Sequence, residues 1–260
     1  MVTLFYTKIH NEFFIFLGVA LHYTIYLKDR LILFFDTNTY NRINTKQEEY
    51  IQTHKKNPLI YKIRYRQLCL YLDFYLINQF LQKLPAKYQE FLKLRYEQGY
   101  TLAKISLSLN ISKSGIIEIN RKMINFLMNI IFYDIKQLFM EKLTYEMFMT
   151  LLNMLSSLRY KLKEEISFLL RNNIYVDISY DYLKILYQKE KLLIKINNII
   201  LQEISSMSEL EQQIIFDKKQ NPFINLNLIA EKYHIPLHKI KRILYSFRQK
   251  VIDKVLDLAD

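Results

Sequence analysis

Apolar residues recur at three- and four-residue spacing along most of the chain, which predicts an all-helical protein. Residues 116–221 contain neither Gly nor Pro, and the pattern runs through most of that length. Its breaks predict helices over residues 59–84, 144–171 and 179–204, with the main interruption at 172–177. A further helix starts at residue 112 and is expected to continue to about Phe139. The pattern therefore predicts a long helical scaffold.

In residues 84–127, Gly and Pro residues interrupt the helical pattern at three positions. Pro85, Gly99 and Gly115 each fall at or near an expected helix start or joint. Thr101 and Ser112 can each cap a helix that follows, because their side-chain oxygens accept from free backbone N–H groups. The order is a helix, a loop, a short helix, a three-residue turn and a longer helix. It predicts a helix-turn-helix unit.

A second copy of this segment begins near Met207. At an offset of 124 residues the matched pairs are Ile105 with Ile229, Ser106 with Ala230, Leu109 with Tyr233, Ile111 with Ile235 and Ile116 with Ile240. Upstream the offset is 123, because the loop at 220–224 has one extra residue, which loops tolerate. The two turns are Asn110-Ile111-Ser112 and His234-Ile235-Pro236. Asn suits a left-handed backbone conformation better than His does.

The pattern resembles region 4 of bacterial sigma factors and the related DNA-binding domains of response regulators. The residues that carry the resemblance are Leu84-Pro85, Leu94-Arg95-Tyr96, Gly99, Thr101-Leu102, Ile105, Leu109, Ile111-Ser112, Ser114 and Ile116. It implies that the helix over Ser112 to Met128 lies in the DNA major groove. The sequence departs from the family pattern at Asn110, Gly115 and Asn120. Residues 1–80 show nothing that resembles sigma region 2.

The groove-facing residues follow from the helical period, because Ile116, Met123, Ile124 and Leu127 face the predicted core. Lys and Arg can contact guanine or phosphates, Glu118 can accept from cytosine N4, and Ile117 can touch a thymine methyl. The predicted DNA-binding residues are Thr101, Lys104, Ser112, Lys113, Ser114, Ile117, Glu118, Arg121 and Lys122 in the first copy, and His238, Lys241, Arg242, Tyr245 and Arg248 in the second.

The N-terminal residues permit two interpretations. The apolar runs 13–27 and 31–35 flank the charged triplet Lys28-Asp29-Arg30, which favours a small β-hairpin packed on the body. A membrane anchor is the alternative, although the longer run is short for a bilayer span and a membrane partner is not favoured. Residues 36–57 are predicted to be a loop with a short helix near 46–54. The mixed charges of residues 161–165 predict a solvated helix surface.

Composition narrows the function classes. The 260 residues carry 37 Lys and Arg against 25 Asp and Glu, a net charge of +12 that favours a polyanionic partner. Cys69 is the single cysteine, so no intrachain disulfide forms and a reducing cytoplasm is expected. No ligand spacing predicts a metal or cofactor. His238, Lys241 and Tyr245 faintly resemble tyrosine recombinase chemistry, but the recognition helix explains them, and we expect no catalysis.

The resulting prediction is a mainly α protein in which two trihelical helix-turn-helix units are joined by a long helical scaffold. Its segments are 1–57, 58–139 with the first unit at 84–128, the scaffold 140–204, and the second unit within 205–260. The predicted function is sequence-specific binding of double-stranded DNA in transcriptional regulation. The alternative is a sigma-like or accessory protein that acts mainly by binding RNA polymerase. A homodimer would present four units, and the sequence leaves the oligomeric state open.

Overall fold

The computed structural model describes residues 19–55, 57, 59–140, 143–171 and 180–258. These residues form twelve α-helices and no β-strand, so the mainly α prediction is confirmed. The helices are α1 (Val19–Phe35), α2 (Thr37–Thr53), α3 (Leu59–Leu81), α4 (Ala86–Tyr96), α5 (Leu102–Leu109), α6 (Lys113–Ile131), α7 (Ile135–Met140), α8 (Tyr145–Arg171), α9 (Tyr180–Ser205), α10 (Glu209–Gln220), α11 (Leu226–Tyr233) and α12 (Leu237–Leu256).

One apolar core runs through the described residues, from Leu27 on α1 to Val255 on α12. Helix α8 packs against α3, α9, α10 and α12, and its side chains Leu151 and Leu158 are fully buried. Helix α6 packs against α1 and α3. The predicted helices over 59–84, 144–171 and 179–204 are confirmed as α3, α8 and α9 within a few residues at each end.

The predicted N-terminal hairpin is wrong for the residues that the structure describes. The triplet Lys28-Asp29-Arg30 lies inside α1, so no turn separates the two apolar runs. Leu27 and Leu31 are fully buried four residues apart on one face, which is helical and not β spacing. Residues 13–18 of the predicted hairpin lie outside the described residues.

Two other boundaries differ from the prediction. Residues 37–53 form one helix instead of a loop with a short helix, because Asp36 caps its start by accepting from the Thr39 backbone N–H at 3.0 Å. Helix α6 ends at Ile131 and does not reach Phe139. The chain turns at Tyr133, whose φ of 57° is left-handed, and α7 follows.

The predicted solvated surface at residues 161–165 is also wrong for Lys161 and Glu165, which are 4% and 3% exposed. Lys161 Nζ donates to Asp73 Oδ1 at 2.7 Å and to the carbonyl of Ile131, the last residue of α6, at 2.8 Å. Asp73 also accepts from Arg30 Nε at 3.1 Å and from Tyr26 at 2.7 Å. The charges are buried because each finds a partner.

Glu165 has a comparable set of partners one turn further along α8. Its Oε1 accepts from the hydroxyls of Tyr65 at 2.5 Å and Tyr182 at 2.6 Å, and its Oε2 accepts from Tyr133 at 2.7 Å. Burial raises the pKa of all three tyrosines well above the ordinary value, so the hydroxyls remain proton donors. The residues of α8 thus fix the turn that follows α6.

Within the described ranges, every helix is too short or too polar to cross a lipid bilayer. The predicted segment boundaries near residues 57, 139 and 204 stay a prediction.

Candidate nucleic-acid interface

Helices α4, α5 and α6 form the first unit, and its turn has the predicted geometry. The Thr101 hydroxyl accepts from the Lys104 backbone N–H at 3.2 Å and caps α5. Asn110 ends α5 in a left-handed conformation with φ 49°. The Ser112 hydroxyl caps α6 by accepting from the Gly115 N–H at 3.2 Å. Local side-chain chemistry therefore sets both helix starts and the turn between them.

The crossing of α5 and α6 requires small residues. Ser106 donates from its hydroxyl to the Ile111 carbonyl at 2.6 Å, and its own carbonyl accepts from the Ile111 N–H at 3.1 Å. A Cβ atom on Gly115 would lie 2.9 Å from Ile111 Cγ2 and 3.1 Å from Ser112 Oγ. Because the branched Ile111 side chain is stiff, Gly115 permits the close approach of α6 to the turn.

Helices α10, α11 and α12 form the second unit, and its turn has the same backbone geometry. His234 ends α11 with φ 51°. The Ile235 N–H donates to the Ala230 carbonyl at 3.0 Å, which matches the Ile111 to Ser106 bond. Asn225 caps α11, while Pro236 precedes α12 without a side-chain cap. The buried residues Ile229 and Ile240 correspond to Ile105 and Ile116.

Two side-chain hydrogen bonds recur in both units, and the sequence comparison did not single them out. Gln89 donates to the Leu84 carbonyl at 2.8 Å, and Gln212 donates to the Met207 carbonyl at 2.9 Å. The cation of Arg95 lies 2.7 Å from the Tyr100 carbonyl, and that of Lys218 lies 3.1 Å from the Ile224 carbonyl. The offset of 123 that relates Leu84 to Met207 also relates the donors, so the signal was present in the sequence.

We expect His234→Gly to raise the free energy of unfolding by about 1 kcal/mol, because a left-handed conformation strains a residue with a Cβ atom. Asn110→Gly should change stability less, since Asn tolerates this conformation. Urea denaturation of the full chain measures both. A loss of stability in the His234 variant would contradict the strain at this turn.

The outward face of α6 carries the predicted groove residues. Lys113, Ser114, Ile117, Arg121 and Lys122 are exposed, while Ile116, Met123, Ile124 and Leu127 are buried as predicted. Helix α12 presents His238, Lys241, Arg242 and Tyr245 to solvent in the same way. Both long helices therefore have one apolar face in the core and one face of mainly polar residues exposed to solvent.

Glu118 is engaged by two cations of its own helix. Its Oε2 accepts from Arg121 Nε at 2.9 Å, its Oε1 accepts from Arg121 Nη2 at 2.8 Å, and Lys122 Nζ lies 3.2 Å from Oε1. The hydrogen bonds from Arg121, and then those from Lys122, lower the pKa of Glu118 to about 2. The first unit thus presents a carboxylate that stays charged in neutral solution.

Residues 80–124 match the family model described as Sigma-70, region 4. The match ends inside α6 and covers the capped turn described above. The first unit is a sigma region 4-like helix-turn-helix, a DNA-binding class of fold. The second unit lies outside the matched residues, so its relation to the same family stays a prediction. Neither a curated protein nor a solved structure matches the chain.

Three further predicted contact residues also have partners within the protein. Arg248 donates to the Leu143 carbonyl at 2.8 Å, and its guanidinium lies 4.8 Å from the centre of the Tyr145 ring. It therefore ties α12 to the scaffold. Lys104 Nζ lies 3.5 Å from the centre of the Tyr100 ring, and Thr101 caps α5. A DNA contact by Arg248 stays a prediction that this geometry does not favour.

The two units contact each other, and both contact helix α8. The rings of Tyr88 on α4 and Phe223 before α11 meet edge to face at 5.9 Å. Phe148 on α8 packs against Phe247 on α12 at 5.9 Å, and Asn153 on α8 donates to the Lys219 carbonyl.

In the described part of the chain, no three His, Cys, Asp or Glu side chains converge as a metal site.

Proposed function

We propose that the chain is a sequence-specific regulator of transcription that binds double-stranded DNA with both units. The observation that carries the proposal is the region 4 match over residues 80–124, which coincides with a capped turn and an outward polar face on α6. An α-helix of this kind fits the major groove, where base edges present a distinct pattern of donors and acceptors. The net charge of +12 adds attraction to phosphates.

The second unit supports the proposal by its geometry. It repeats the left-handed turn residue, the backbone hydrogen bond across the turn and the buried isoleucines of the first unit. Its long helix carries Lys241 and Arg242 on the exposed face. We therefore infer that α12 occupies a second stretch of major groove, and that cytoplasmic DNA is the partner.

Selection from a random duplex library, followed by footprinting, tests the proposal on the full chain. We expect two protected half-sites whose centres lie one helical turn or a multiple of it apart, about 10 base pairs or a multiple. Binding should weaken steeply as salt increases, because phosphate contacts release counterions. A single short protected patch would argue against the paired use of α6 and α12, and no enrichment would contradict sequence-specific binding.

A second candidate function rests on the same family match. A region 4-like unit supports a sigma-like or accessory protein that acts mainly by binding RNA polymerase. Co-purification separates the two functions: polymerase recovered with a chain that selects no duplex sequence would favour the accessory role. A homodimer stays open under either function, and sedimentation of the chain with and without a selected duplex measures it.

A further inference from the structure

The exposed residues of α6 and α12 differ in charge and in ion pairing. At the offset of 124 residues, Glu118 corresponds to Arg242, and Arg121 corresponds to Tyr245. Lys241 and Arg242 are exposed and form no ion pair with any residue that the structure describes. Glu118, in contrast, holds Arg121 with both carboxylate oxygens and Lys122 with one. Helix α12 therefore offers two adjacent unpaired cations, while on α6 a carboxylate already pairs two of the three exposed cations, Arg121 and Lys122 but not Lys113.

The Glu118 pairs are open to solvent, and this decides how they respond to DNA. The side chains of Glu118 and Arg121 are 44% and 61% exposed. Exposed ion pairs contribute little and are screened by salt, so nearby phosphates can compete for Arg121 and Lys122. When the two cations turn to phosphates, the carboxylate loses its partners. It is then an anion close to the polyanionic backbone, which is unfavourable unless a donor on the DNA replaces the lost bonds.

Each base pair presents one amino group in the major groove, N4 of cytosine or N6 of adenine. Glutamate accepts from cytosine N4, whereas adenine carries the N7 acceptor beside its amino group, and that acceptor repels a carboxylate. Guanine and thymine present acceptors at the corresponding positions, and these repel a carboxylate. A glutamate at this point of α6 therefore favours cytosine at the base that it faces and penalises guanine, thymine and adenine.

We infer that Glu118 is a specificity-determining residue of the first unit that acts mainly by exclusion: it binds Arg121 and Lys122 on non-cognate DNA and releases them where a cytosine amino group is present. This inference rests on the proposed DNA-binding function. Under this inference, the two recognition helices have different roles in DNA binding. Helix α12 supplies attraction to any duplex, and α6 decides whether the sequence is accepted.

Glu118→Gln tests the inference, because glutamine keeps the size of the side chain and removes the charge that pairs and repels. Full-length wild-type and E118Q proteins are titrated against a random duplex pool and against the duplex that the wild type selects. We expect E118Q to bind the random pool about tenfold more tightly, with little or no gain on the selected duplex. The ratio of the two affinities should fall about tenfold.

Glu90→Gln is the matched control. Glu90 is exposed on α4 of the same unit, so its substitution changes the net charge equally, but it lies on a different helix from Glu118. We expect E90Q to leave the affinity ratio unchanged. A second selection with E118Q should lose the cytosine preference at one position of the wild-type motif.

Three results would overturn the inference. If E118Q and E90Q shift both affinities equally, or if E118Q selects the wild-type motif, Glu118 does not discriminate, while the proposed function still stands. If none of the three proteins binds any duplex, the proposed function fails and the inference fails with it.

Discussion

Lys161→Met is expected to lower the free energy of unfolding by about 3 to 5 kcal/mol, because it removes one partner of a buried ion pair. Methionine fills the volume of the aliphatic stem but leaves Asp73 without its 2.7 Å contact to Lys161 Nζ. It also leaves the Ile131 carbonyl without the donor that satisfies the end of α6. Arg30 and Tyr26 still donate to Asp73, which places the expected loss near the lower end of the range.

Lys163→Met is the control for this prediction, because Lys163 lies on the same helix and is exposed. Surface substitutions of this kind change stability by about 0.5 kcal/mol or less. Urea denaturation followed by circular dichroism measures both variants. Equal stability of the two proteins would show that the buried charge cluster does not hold α6 to the scaffold.

Lys241→Ala combined with Arg242→Ala is expected to weaken duplex binding about 100-fold, since each cation contributes about 1–3 kcal/mol at a base or phosphate. The slope of log affinity against log salt should become shallower by about 2, one unit for each lost phosphate contact. Both residues are exposed and neither belongs to the core of the second unit, so the fold should survive. Mobility-shift titrations at four salt concentrations measure the affinity and the slope.

The control is Lys191→Ala combined with Lys195→Ala. These lysines are exposed one turn apart on α9, which lies outside both units, and their loss changes the net charge equally. We expect only a small loss of duplex affinity in this variant, caused by the reduced overall charge. If the α9 variant loses as much affinity as the α12 variant, the attraction comes from the whole surface and not from α12.

The parts that could be predicted from the sequence are those that local chemistry determines. The N-caps Thr101, Ser112 and Asn225 and the left-handed residues Asn110 and His234 each act within a few residues of their own position. Their geometry can therefore be inferred from short segments. The helical cap at Asp36 belongs to the same class, and the polar composition of residues 36–57 obscured it.

The parts that could not be predicted depend on partners that are distant in the sequence. Lys161 and Asp73 are 88 residues apart, and Glu165 and Tyr65 are 100 residues apart. Charged residues on a helix usually face solvent, so only the tertiary structure shows that these two are buried. The pairing of Glu118 with Arg121 and Lys122 has the opposite character. The spacing of three and four residues was visible in the sequence. The inferred penalty that Glu118 places on DNA binding depends on the exposure of this face of α6, which only the structure shows.

Helix α8 fixes the distance between α6 and α12, the two helices that enter the major groove in the proposed complex. Its first half contacts the second unit through Phe148 and Asn153, and its second half fixes the end of α6 through Lys161. A continuous helix does not stretch, so the separation of the two reading helices is a constant of the protein and not a variable of the site. DNA that carries both half-sites at the wrong spacing must bend or twist to satisfy them, which makes the intervening base pairs part of the recognised sequence even though no side chain touches them.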